Sequence, residues 1–189
     1  MSNCGITREQ ALSLLKKHIK NENLIKHSLA SEAVMKAVAR RLGEDEEKWG
    51  LSGLLHDLDV EITKGDLNIH GKKTAEILSQ RGVAPEIVEA ILMHNEQAAG
   101  KKRNTPFQHA LASAETITGL IVATALVYPD KKLKSVKVKS VLKRMREKAF
   151  ARGANRDVIR ECEKAGIPLE EFAEIALSAM QEISEELGL

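Results

Sequence analysis

Polar and apolar positions alternate with a helical period along nearly the whole chain. Leu24, Ser31, Val34, Met35, Val38 and Leu42 share one face of a segment opening near Asn23 and closing at Gly43. Thr7 followed by Gln10 has the spacing of a capping box and predicts a first helix running to about Lys20. Asp45, Glu46 and Glu47 suit the positive end of a third helix, expected to continue to about Leu58. A loop is expected through Thr63, Lys64, Gly65 and Asp66, then a helix from Ile69 to Gln80 that stops at Gly82. Pro85 opens another, reaching Gln97, and Gly100 to Asn104 reads as a basic loop. Thr105 and Pro106 start a long apolar helix that ends by Val127, ahead of Pro129. Three further helices are expected over Val138 to Ala151, Arg156 to Ala165 and Pro168 to Leu187. No repeat and no hairpin signal interrupts the series.

The predicted fold class is therefore all-α. A helical core over residues 1–128 carries a C-terminal helical extension, 129–189, packed upon it. Composition agrees: aromatic residues make up 3% of the chain, which leaves little material for a sheet. At 189 residues the chain can bury a core without disulfides or a structural metal, so a metal here points to chemistry. Cys4, expected in a frayed terminus, and Cys162 form no metal-spaced pair. The absence of an apolar leader and of a run of about 18 apolar residues predicts a soluble, cytoplasmic protein with no membrane partner. A net charge of +2 is too small to argue for nucleic acid. Basic residues do crowd between Lys131 and Arg160, where a solvated helix face is the expectation.

Position makes the histidines informative. Five of six, His27, His56, His70, His94 and His109, fall between residues 27 and 109. His27 lies in line with Leu24, Ser31 and Val34; His94 follows Ile87 and Ile91; His70 shares a face with Thr74 and Ile77. Glu115 stands beside Leu111 and Thr118 at the edge of a buried stripe, and His56 shares its stripe with Trp49, Ser52 and Gly53. A lone inward histidine is usually a hydrogen-bonded core residue, so the argument rests on the set. Imidazoles and carboxylates converging from several helices are what a first-row metal requires in a bundle. Neighbours on a helix diverge by about 100°, so His56 and Asp57 can both ligate only at the edge of such a site, where a carboxylate can bridge two ions. Lys64, Lys72 and Arg103 flank the ligand helices and are candidates to neutralise phosphate charge. Glu96 is a candidate acceptor for an imidazole N–H. His109 is expected in a pocket or structural role, and Thr118 and Gly119 in packing.

His27, then His56-Asp57 within Leu54-Leu55-His56-Asp57-Leu58-Asp59, then a late acid, resembles the HD-domain superfamily of metal-dependent phosphohydrolases. The resemblance covers roughly residues 20 to 125. His70 and His94 look like the added histidines of members with two metals, and the tail after Pro129 resembles the helical extension of small HD proteins. In the family the late acid is normally Asp; here it is Glu115, whose extra methylene shifts the carboxylate by about 1.5 Å. The resemblance implies metal ligands His27, His56, Asp57, His70, His94 and Glu115. It implies one or two divalent ions (iron, manganese, zinc, cobalt or nickel), with Asp57 central to catalysis. A small phosphorylated or nucleotide substrate follows. The same scaffold also serves di-iron oxygenases, and a non-catalytic metal-binding helical module is the third reading.

Overall fold

The computed structural model describes residues 4–189, and among them there is no strand. Helix α1 spans Arg8–His18. Both halves of its capping box form: Thr7 Oγ1 accepts from the Gln10 amide, and Gln10 Oε1 accepts from the Thr7 amide. Helix α2, Glu22–Leu42, is capped by Asn21 and ends at Gly43 in the left-handed conformation. Helix α3, Glu46–Leu55, starts under the Asp45 carboxylate. It ends three residues earlier than its pattern suggests, and a short α4, Val60–Thr63, precedes the loop. Helix α5 covers Lys72–Gln80 and α6 covers Pro85–Met93, both shorter than expected; α7, Glu96–Ala99, is a single turn. The long α8, Pro106–Leu126, begins with Thr105 capping Gln108. In the tail come α9, Val138–Arg146, α10, Arg156–Ile159, α11, Leu169–Glu182, and α12, Ser184–Leu187, with 3-10 turns at Leu133–Ser135 and Arg160–Glu163.

Helix α2 is the hub and packs against α3, α8 and α11. Close approach to α3 depends on Gly53, because a Cβ there would lie 2.5 Å from the Ser31 carbonyl oxygen. The tail shares the core. Phe172, Ala173, Ala176, Leu177 and Met180 of α11 are buried in one continuous apolar cluster with Val34, Met35 and Val38 of α2. Burying Phe172 alone contributes about 2–3 kcal/mol. Cys4 also departs from expectation: it is buried, and its carbonyl accepts the Ala84 amide. Helix α8 has the length and mean hydropathy of a membrane-spanning segment, which a count of consecutive apolar residues misses; 67% of that stretch is buried inside this bundle. The basic tail residues Lys137, Lys139, Lys143 and Arg146 face solvent, whereas Arg144 lies over the Phe150 ring at 4.3 Å.

Candidate metal centre

His56 closes α3 and still has helical dihedrals, φ −60° and ψ −31°; beyond Asp57 the chain continues in turns, with the Val60 amide bonded to the Asp57 carbonyl. His56 comes from the end of α3, His27 from α2, His70 from the turn before α5 and His94 from the residue closing α6. Their Nε2 atoms meet around Asp57. His56 Nε2 and His70 Nε2 lie 3.3 and 3.1 Å from Asp57 Oδ1, and His94 Nε2 lies 3.7 Å from it. His27 Nε2 is 3.7 Å from Oδ2. Two ligand groups result, His27–His56–Asp57 and Asp57–His70–His94, with Asp57 common to both.

Each imidazole is aimed by its other nitrogen. His56 Nδ1 donates to the Gly53 carbonyl at 2.8 Å, and His94 Nδ1 donates to the Ile91 carbonyl. His70 Nδ1 donates to Asp59 Oδ1 at 2.8 Å. Thr118 gives its own proton to the Glu115 carbonyl, so its oxygen accepts from His27 Nδ1 at 3.0 Å. With the N–H on Nδ1, a neutral ring presents a bare lone pair at Nε2. Burial pushes His27 down and His56 to about 4, so both are uncharged near neutrality. Their Nε2 atoms nevertheless face each other at 3.2 Å. Two lone pairs at that distance repel, and a shared cation relieves the repulsion. In the second group burial pushes His94 to about 4. Burial also opposes charge on His70, but hydrogen bonds to Asp57 and Asp59 outweigh it and push that imidazole up to about 10. Asp57 is buried too, yet the surrounding imidazoles, His56 foremost, hold it well below the usual carboxylate range. A carboxylate ringed by four oriented nitrogens is a donor set that fits divalent transition metals.

Asp59 and Thr118 are supporting residues that sequence reasoning missed. Asp59 is fully buried; while Oδ1 holds His70, Oδ2 accepts from the amides of Gly71, Lys73 and Thr74 at 2.8–3.1 Å. It therefore caps α5 and orients a ligand with one side chain. Gly71 has φ 92°, and a Cβ there would sit 3.3 Å from the His94 ring. The repeated acid in His56-Asp57-Leu58-Asp59 was the available signal; for Thr118 there was only its place one turn after Glu115.

The remaining expected site residues fall outside the two ligand groups. Glu115 is outside both ligand groups: it accepts from the Thr116 hydroxyl, and burial pushes its carboxyl up to about 8. Lys64 and Lys72 are exposed and do not line the pocket over the cluster; the Lys72 ammonium donates to the Asn68 carbonyl. Arg103 does line it, but its guanidinium is engaged. Nε and Nη2 form a 2.7 Å fork with Glu161, and Nη1 donates to the Met93 and His94 carbonyls at 3.1 Å. Glu96 bonds the Arg103 amide and Lys102 rather than an imidazole, and His109 contacts Glu161 at 2.6 Å. Arg103 thus positions the backbone behind His94. The pocket has a volume of about 650 Å³ and is lined by His27, His94 and Glu115 together with the tail segment 151–155 and Val158.

Fold and site together define an all-helical protein with a buried His/Asp cluster able to hold metal. The HD domain family model matches residues 24–128, and the chain belongs to the HD-domain family, part of the metal-dependent phosphohydrolase superfamily. Among curated proteins it is similar to Ribonuclease Y of Geobacter metallireducens and of Nitratidesulfovibrio vulgaris, 29% identical over 99 residues in each. Ribonuclease Y of Opitutus terrae is 26% identical over 98 residues. Each alignment covers 52% of this chain and 18% of the relative, so the chain matches under a fifth of those proteins. No solved structure gives a significant match.

Proposed function

We propose that this protein is a metal-dependent phosphohydrolase that cleaves a phosphate ester of nucleotide size in the pocket lined by the cluster residues His27 and His94. One observation carries the reading: all four imidazoles have Nδ1 tied to a protein acceptor and Nε2 turned toward a single carboxylate. In this reading His27, His56 and Asp57 hold one divalent ion, and Asp57, His70 and His94 a second. Bound ions of this kind polarise phosphoryl oxygens and make water nucleophilic near neutral pH. The chain's own residues do the rest. Asp57 joins the two halves, Asp59 and Thr118 keep His70 and His27 from rotating, and Arg103 fixes the segment that carries His94. Glu115 faces the pocket, where substrate enters. A pocket of about 650 Å³ suits a nucleotide. The name of the curated relatives adds RNA phosphodiesters to the esters to be assayed.

The test is elemental analysis of protein purified without chelators, paired with assays for phosphate-ester cleavage and oxygen uptake. About two equivalents of metal per chain with ester cleavage and no oxygen uptake supports the reading. Failure to bind metal after reconstitution overturns it. Iron with oxygen uptake and no ester cleavage replaces it with the oxygenase reading.

A further inference from the structure

Part of the lining of the pocket beside the metal centre comes from the tail, beyond residue 128 where the family match ends. Its loop is held from within. The Arg156 guanidinium donates to the carbonyls of Ala151 and Ala154 through Nη1, and to those of Arg144, Glu147 and Phe150 through Nη2, at 2.5–3.2 Å. Arg144 stacks over Phe150 in the same loop. Ala151 is held in the left-handed region, φ 45°, which a residue with a Cβ rarely adopts without such support. This rigid turn carries Arg152 to the pocket.

Charge around the pocket is otherwise spoken for. Arg103 is forked with Glu161, Glu96 is paired with Lys102, and Glu115 is bonded to Thr116. Arg152 is exposed and has no ion pair or hydrogen bond among the described residues. A guanidinium on a preorganised loop, lining the same pocket as the cluster residues His27 and His94, is placed to receive an anion.

We infer that Arg152 is a specificity residue, binding a second anionic phosphate on the substrate, remote from the phosphorus at the metal centre. The identity of the cleaved bond rests on the phosphohydrolase reading; the anion subsite rests on Arg152 and its loop. The favoured substrate class is thus an ester carrying two phosphates rather than one.

The experiment is calorimetric titration of the metal-loaded protein with alkanediol bisphosphates of increasing chain length and with the matching alkyl monophosphates. Arg152→Ala and Arg152→Lys are titrated alongside, with thermal melts to verify folding. The wild type is expected to prefer a bisphosphate of fitting length by about tenfold or more. In Arg152→Ala that preference collapses toward one, and Arg152→Lys keeps part of it. A wild type with no preference, or an Arg152→Ala variant that retains it, overturns the inference. Ester cleavage is followed in the same samples. Its absence alongside an Arg152-dependent preference removes the hydrolase reading and leaves the anion subsite standing. Cleavage without the preference does the reverse.

Discussion

At the scale of single residues, the carboxylates of Asp57 and Glu115 have separable jobs. Asp57 belongs to both ligand groups, so Asp57→Ala is expected to remove bound metal while circular dichroism stays helical. Glu115 lies outside both groups, so Glu115→Gln is expected to keep the wild-type metal content, measured in the same elemental analysis. A loss in Glu115→Gln equal to that in Asp57→Ala would make Glu115 a ligand after all. Asp59→Asn leaves the ligands themselves in place but weakens the acceptor behind His70. Losses of about 10–100-fold in metal affinity are usual for such outer partners, and competition with a chelating dye reads this directly. The inward histidines could be found in sequence because each continues an apolar stripe, although only His27 lies within a helix: His56 and His94 close theirs, and His70 stands in the turn before α5. The roles of Asp59 and Thr118 were harder to read, the repeated acid being the one local signal, because the contacts that define them lie 11 and 91 positions away.

At the scale of elements, the helices are legible wherever their signals are local. Thr7 with Gln10, Asp45, Pro85 and Thr105 mark starts that the structure keeps within a residue or two. The ends beside the metal centre are not legible. Helices α3 and α6 stop at the cluster residues His56 and His94, and the first turn of α5 is capped by distant Asp59. Propensity predicts continuation in each case, and the tertiary contact overrides it. The α2–α3 crossing offers the sharpest element-scale test. Gly53→Ala puts a methyl into the Ser31 backbone and forces the helices apart, costing about 1–3 kcal/mol. A lowered melting temperature is expected, with weaker metal binding, since the Gly53 carbonyl also aims His56. An unchanged melting temperature would mean that the crossing relaxes freely.

At the scale of the whole molecule, the family domain and the tail share an apolar core, and a polar link between them runs through Glu161. Burial opposes its charge, but Arg103 and His109 outweigh that and hold its carboxyl down to about 2, from an ordinary 4.5. A depressed carboxyl contributes stability above its unfolded value and loses it as acid titrates the folded form. Wild type should therefore exceed Glu161→Gln in stability at neutral pH, with the gap closing as pH falls from about 4.5 to 2; denaturant melts across that window measure it. A gap that stays constant with pH would refute the assignment. This junction was beyond sequence reasoning, which placed Arg103 at substrate, because its partner lies 58 positions away in the tail. The same guanidinium grips the carbonyl of His94 and the side chain of Glu161. Linkage is reciprocal, so the two ends should protect each other. Metal loading should slow protease cleavage of the tail, and a clipped tail should let metal escape faster, so resistance to a protease becomes a gauge of how full the metal centre is.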